Sequence, residues 1–176
     1  MEIDIVNEAR ENYITGIAEL LLESFPHAYG DCAAEEARSI ISDDMIFIAA
    51  VAEGRLVGFV GAIPQYGTTG WELHPIVIKQ THQFRGIGTK LMQALEQECL
   101  KRGGVMLYLG TDDEFGKTSL SNTDLFVETY SKMEHAVNLN KHPFEFYQKN
   151  GYKIVGVIPD ANGAGKPDII MAKRIK

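Results

Sequence analysis

The sequence predicts an α/β fold, a mixed sheet with helices packed against it, and three observations carry that expectation. Strand-length runs of β-branched apolar residues alternate along the chain with stretches at helical spacing. A long hairpin, 45–52 returning through 55–63 by a Glu53-Gly54 turn, supplies antiparallel pairing in the middle. No repeat, linker or low-complexity stretch interrupts the 176 residues, so one domain is expected over 1–176. A chain of that length buries about 70% of the surface its unfolded form exposes.

Ile3, Ile5 and Val6 read as a first strand. Ile14, Ile17, Ala18, Leu21 and Phe25 recur at helical spacing, which predicts an amphipathic helix over 11–25 lying on the sheet. Pro26 ends that helix or bends the chain, and 25–30 is expected as a loop. Asp31 is placed to cap a second helix over 33–42, with Ala37, Ile40 and Ile41 inward. The hairpin strands follow, and Gly58 and Gly61 mark a bulge or a close backbone approach in the second of them. A turn-rich loop is expected over 64–70, before Trp71-Glu72-Leu73-His74-Pro75 leads into another strand. Pro75 brings no N–H, so the ladder is interrupted or at an edge there.

The later part reads less evenly. A helix carrying Leu91, Met92, Leu95 and Cys99 stops at Arg102-Gly103-Gly104, and a buried strand covers 105–110. Thr111-Asp112-Asp113-Glu114 puts three carboxylates at its exit. Residues 121–138 stay ambiguous, because β-branched residues blur the helical spacing of Leu125, Tyr130 and Met133. A helix opens at His142-Pro143, carries Phe144, Phe146 and Tyr147, and ends at Asn150-Gly151. A strand over 152–158, a turn-rich loop over 159–167 and a last strand over 168–172 complete the chain.

Composition excludes several classes of function. A formal charge of −7 argues against a nucleic-acid binder, which needs a basic face. It suits a cationic small molecule or peptide, and equally suits simple solubility. No apolar run approaches the ~20 residues that cross a bilayer, so no membrane partner is expected. Met1-Glu2-Ile3-Asp4 is acidic and lacks a signal-peptide core, so a cytoplasmic protein is expected. Cys32 and Cys99 are too few and too far apart for a disulfide framework or a metal site, and no metal is expected. Cys99 falls on the apolar side of its helix as a small buried hydrophobe.

The chemistry concentrates between Ile76 and Leu91, read IVIKQTHQFRGIGTKL. A β-branched run, a polar turn with Gly86 and Gly88, and an amphipathic helix with Leu91, Met92, Leu95 and Cys99 make the frame of an anion cradle. Loop amides and the helix dipole favour negative charge there, and the glycines allow close approach or a positive φ. A P-loop does not fit, since no G-x-x-x-x-G-K-[ST] run is present. A dinucleotide fingerprint needs a third glycine where Leu91 stands.

Gln83-Phe84-Arg85-Gly86-Ile87-Gly88 matches the Q/R-x-x-G-x-G/A signature of the GNAT N-acetyltransferases. Within that superfamily the chain resembles the bacterial aminoglycoside 6'-N-acetyltransferases. The stretches that carry the likeness are Val57 to Gly67, Thr69 to Pro75, Tyr108 to Asp113, Phe144 to Tyr147, Asn150 to Val157, Ala161-Asn162-Gly163 and Lys166-Pro167-Asp168. The resemblance implies a single GNAT domain whose twisted sheet is mostly antiparallel. It implies direct transfer of acetyl from acetyl-CoA, a cosubstrate, to an amine in a ternary complex, and a homodimer. Ile76, Val77 and Ile78 are then expected along pantetheine and thioester, and Gln83, Phe84, Arg85, Gly86, Ile87, Gly88 and Thr89 around the pyrophosphate.

Residue roles carried over from the family follow. Glu72 is expected as the base or as the group that orients the amine. An ordinary Glu near pKa ~4.3 and a Lys-like amine near ~10.4 lie ~6 units apart, so direct transfer would cost roughly 8 kcal/mol. Orientation with proton transfer through water fits better unless burial raises the carboxyl. His74 is a second candidate, weighed against a strand histidine held in a hydrogen bond. Tyr147 is the candidate acid at the CoA sulfur, weighed against an aromatic core residue beside Phe144. A phenol near ~10 and a thiolate near ~8.5 differ by only ~2 kcal/mol, and a hydrogen bond alone would help.

For the substrate, Asp112 and Asp113 are expected to grip ammonium groups, with Glu72, Tyr66 and Phe25 alongside. Trp71 either packs on a sugar ring or belongs to the core. The family's pattern carries Trp near Phe25 and an acid near His27, so an indole donor and an anion are missing here. Two rival functions share the cradle. One is acetylation of another amine, a polyamine or basic peptide, and the other is a non-catalytic acetyl-CoA sensor that needs neither Glu72 nor Tyr147.

Overall fold

The computed structural model describes residues 4–6, 11–42 and 44–176. The fold is the α/β class expected, a mixed and largely antiparallel sheet flanked by helices. The residues group into two compact units, Met1–Leu107 with Ile175–Lys176, and Tyr108–Arg174.

In the first unit, β1 (Asp4–Val6), β2 (Ile46–Ala52), β3 (Arg55–Tyr66) and β4 (Gly70–Ile78) are antiparallel neighbours in chain order. Ile3, expected in the first strand, lies outside the described residues. The helices are α1 (Ile14–Ser24), α2 (Pro26–Tyr29), α3 (Ala33–Ile40) and α4 (Ile87–Lys101). Alternation along β2 sorts the core into two layers. Phe47 and Ala49 join Phe59, Val77 and the inward residues of α1 and α3, among them Ile17, Leu20, Leu21, Ala37 and Ile40. Ile46, Ile48 and Ala50 alternate with them and are fully buried, and α4 packs on β2 and β3 with Leu91, Met92, Leu95 and Cys99 buried.

Three local expectations change. Residues 25–30 are not a loop, because Pro26 is the first residue of α2, where its fixed φ suits a helix and its missing N–H is not needed. Asp31 makes no cap: it sits in a 3-10 turn, and Cys32 precedes α3 without a side-chain cap bond. Residues 64–66 are strand, since β3 runs on and Pro64 pairs with Trp71, leaving only 67–69 as the turn. Trp71 is core, 3% exposed, and its indole N–H donates to Thr68 O at 2.9 Å.

The interruption expected at Pro75 is a bulge. Ala62 pairs with Leu73 and Val60 with Ile76, so His74 and Pro75 together face Gly61. The extra residue reverses the faces. Ile76 shares the α4 side with Val60, whereas Glu72 pairs with Ile63 and shares the side of Phe59, under α1 and α3. Gly61 is required there, because a Cβ would stand 2.6 Å from His74 O. We expect Gly61→Ala to lower stability by about 1–3 kcal/mol in a denaturant titration, the range for overpacking a tight site; an unchanged midpoint would show that the bulge yields.

In the second unit, which takes β5 (Met106–Asp112) from Tyr108 onward, the strand order is β5, β7 (Asp168–Arg174), β6 (Lys153–Ile158), with β6 at the edge. The ambiguous stretch holds one short helix, α5 (Thr129–Glu134), and buries Leu125 while Tyr130 is exposed. α6 (Phe144–Lys149) carries Phe144 and Tyr147 inward. It ends as expected: Asn150 N–H bonds Phe146 O, and Gly151 takes φ +90°.

Candidate functional site

The cradle is built at the end of β4. A 3-10 turn over Gln80–His82 follows the strand, and the Gln83 side-chain Nε2 donates to Ile78 O at 3.1 Å, tying loop to strand. Gly86 then turns into α4 with φ +78°, a left-handed value that glycine takes freely. No side chain caps α4. The first-turn amides of Ile87, Gly88 and Thr89 have no intrahelical acceptor by geometry, and the first bond of the helix runs from Lys90 N–H to Gly86 O at 3.2 Å. Phe84 also has a positive φ, +60°, and is fully exposed. A loop with uncapped amides at the N-terminus of a 15-residue helix fits a phosphate-bearing ligand. Along β4, Val77 is buried and Ile76 and Ile78 are half-buried.

Glu72 is half-buried on β4, and its Oε2 accepts from Gln65 Nε2 at 2.7 Å across the β3–β4 ladder. Gln65 was not singled out from the sequence, and only the hairpin register identifies it. His74 Nε2 lies 3.5 Å from Tyr29 Oη and 3.8 Å from Glu36 Oε1, so it is a strand histidine held by a neighbour from α2 and another from α3. Burial, then the nearby Glu36 carboxylate, pushes the Tyr29 phenol up. Phe25 meets Tyr29 edge-on, with ring centroids 5.8 Å apart, and remains 39% exposed. Tyr66 is exposed at the tip of the hairpin.

The second unit holds Asp112, Asp113 and Tyr147. Asp112 is exposed, and its Oδ1 accepts from Asn162 Nδ2 at 2.5 Å. Asp113 is different: it is 1% exposed, and its two oxygens accept the amides of Lys117 and Thr118, each at 2.7 Å. It holds the loop that follows β5 and presents no free face to an ammonium. Burial alone would raise its carboxyl, but hydrogen bonds from Ser121, Lys117 and Thr118 together hold it below the usual range. The unfolded chain therefore binds its proton more readily, so this stability is complete above about pH 4 and is lost as pH falls through the folded value. We expect Asp113→Ala to destabilise by about 1–3 kcal/mol near neutral pH and by less in acid, by thermal melting across pH.

Tyr147 is buried between Phe146 and Tyr152, with ring centroids at 5.2 and 6.2 Å, and burial pushes its phenol well up. That shift makes outright proton donation harder than donation of a hydrogen bond. Cys99 is inert by the same cause, its thiol pushed up to about 12 by burial. Among the described residues, no group of three His, Cys, Asp or Glu side chains could hold a metal ion, and no helix is long and apolar enough to cross a membrane.

The acetyltransferase (GNAT) family model matches residues 14–120. Among solved structures, the chain is similar to an aminoglycoside 6'-N-acetyltransferase complexed with coenzyme A, at 48% identity and TM-score 0.95, covering 100% of this chain and 98% of that one. It is also similar to the aminoglycoside 6'-N-acetyltransferase from Enterococcus faecium, at 49% identity and TM-score 0.93 with the same coverage. A third, aminoglycoside 6'-acetyltransferase type Ii, shares 41% identity at TM-score 0.78, again over 100% and 98%. A search of curated proteins returned no match.

Proposed function

The chain belongs to the GNAT acetyltransferase family, and from that premise we propose that it transfers acetyl from acetyl-CoA to the 6'-amine of aminoglycoside antibiotics, conferring resistance. The observation that carries this reading is likeness at 48–49% identity, over the whole chain, to enzymes of that description. In this reading 1–176 work as one acetyltransferase domain, and the amine attacks directly in a ternary complex.

Bound acetyl-CoA supplies the acetyl group as a thioester. The amides from Phe84 to Thr89, with Gln83 and Arg85 beside them, hold its pyrophosphate, while the β4 backbone at Ile76, Val77 and Ile78 lines the pantetheine arm. Glu72, fixed by Gln65, orients the ammonium and passes its proton on through water. His74 supports that strand from its bond to Tyr29. Tyr147 gives a hydrogen bond to the departing CoA sulfur. Asp112 grips a second ammonium, with Asp113 setting the loop beneath it, and Phe25 and Tyr66 offer flat surface to the sugars. A cytoplasmic location suits an enzyme that consumes acetyl-CoA. A homodimer suits the edge strand β6, where Val155 and Ile158 are exposed.

The test is release of free thiol from acetyl-CoA with kanamycin A beside its 6'-hydroxyl counterpart. Turnover with the 6'-amine alone is the expected result. No turnover with either, despite tight acetyl-CoA binding, would keep the cradle and overturn the substrate.

A further inference from the structure

We propose that His142 is a positioning residue that holds Asp112 and the helix of Tyr147 in fixed relation, through one hydrogen bond from each ring nitrogen. The inference rests on the roles given above to Asp112 and Tyr147.

The imidazole is 2% exposed, so its two nitrogens need protein partners. The Phe144 amide donates to Nδ1 at 3.2 Å, which makes Nδ1 the acceptor. The ring proton then sits on Nε2, which donates to the Asp112 carbonyl at 3.0 Å. One nitrogen therefore engages the exit of β5, and the other the first residue of α6. Tyr147 follows on that same helix, one turn beyond Phe144.

The backbone of His142 is held as firmly as its ring. Its N–H donates to Asn138 Oδ1 at 2.8 Å, and its carbonyl accepts from Asn138 Nδ2 at 2.9 Å. Asn138 is bridged to Thr118, whose amide donates to Asp113 Oδ2. The contacts form a closed circuit that leaves the chain at Asp112 and returns to it at Asp113. What distinguishes this ring from one that merely satisfies its own burial is where its partners lie, one at the exit of β5 and one at the start of α6. Only the neutral ring with Nε2–H suits the circuit, because a second ring proton would meet the Phe144 N–H. Burial lowers the His142 pKa, Lys117 adds to that, and the Asp112 carbonyl with the Asp112 and Asp113 carboxylates opposes it.

The experiment is a double-mutant cycle in kcat/KM with a 6'-amine aminoglycoside, using His142→Leu and Asp112→Asn. We expect His142→Leu to lower kcat/KM by about tenfold in the wild-type background and by about twofold beside Asp112→Asn, since residues acting through one network are not additive. His142→Gln, whose side-chain amide can reach the Asp112 carbonyl, recovers most of the loss. An equal loss in both backgrounds, or wild-type kinetics in a folded His142→Leu, overturns the proposal. If the leucine variant does not fold, Asn138→Ala, which releases the His142 backbone and keeps the ring, enters the same cycle with the same two outcomes. Asp112→Asn and Tyr147→Phe alone separate the two levels: if both match wild type, the site reading itself has failed, whatever His142 does.

Discussion

Glu72→Ala lowers kcat/KM for a 6'-amine aminoglycoside by about 100- to 1,000-fold and leaves the affinity for acetyl-CoA within about twofold. A positioned proton-accepting group contributes about 100- to 10,000-fold in catalysis. The lower part of that range is expected, because water can replace part of the relay. Acetyl-CoA affinity is expected to hold because the proposed cradle draws on backbone amides at the start of α4, not on the Glu72 side chain. Stability changes little as well, since Glu72 is only half-buried. Steady-state kinetics and titration calorimetry check the two halves. A drop of less than about fivefold in kcat/KM would remove Glu72 from proton handling, and a parallel loss of acetyl-CoA binding would mean that the substitution had disturbed β4 instead.

Gly86→Val weakens acetyl-CoA binding by about 10- to 100-fold with a fall in stability of only about 1–2 kcal/mol. The φ of +78° is what decides it. A left-handed conformation costs a side-chain-bearing residue about 1–2 kcal/mol, and a β-branched one pays the upper part of that. A Cβ at Gly86 meets nothing within 4 Å, so the protein itself does not resist the valine. The ligand would, in the binding mode proposed above: the same open space is where the pyrophosphate approaches the first-turn amides. Calorimetry for affinity and thermal melting for stability separate these effects. Unchanged affinity would mean that the pyrophosphate is held elsewhere.

The two units were unequally legible in the sequence. Around β2 and β3 the apolar runs are nearly continuous because both faces are covered, so the strands and the glycine-marked bulge could be read from residues alone. Prolines misled in two places, for a physical reason. A proline removes one backbone donor and fixes one φ, which need not leave its surroundings irregular: Pro26 opens α2, and β3 runs through Pro64 near its exposed end. Residues 121–138 resisted reading because side-chain-to-backbone bonds at their two ends organise them, from Asp113 to Lys117 and Thr118 and from Asn138 to His142, and such bonds leave no periodicity. The cradle was legible because glycine spacing between a strand and a helix is a local signal. Asp113 was misjudged because a carboxylate at a strand exit looks the same in sequence whether it meets solvent or amides. Gln65, Glu36 and Asn162 acquire meaning only through partners 7, 38 and 50 positions away.

The bulge at His74-Pro75 works as a phase shift. A strand displays its side chains with a period of two, and an odd residue inserted on one side moves everything before it by half a period relative to everything after it. Ile76 onward is in phase with the α4 layer at its even positions, while Glu72 is out of phase with it and turned to the other side of the sheet. The orientation of Glu72 is therefore set by a count of residues and not by its own surroundings. Shortening β4 by one position near the bulge would turn Glu72 to the wrong side while every residue of the chemistry remained present. Length at this point is under tighter constraint than identity, and a single-codon deletion there would do what no single substitution in the strand can.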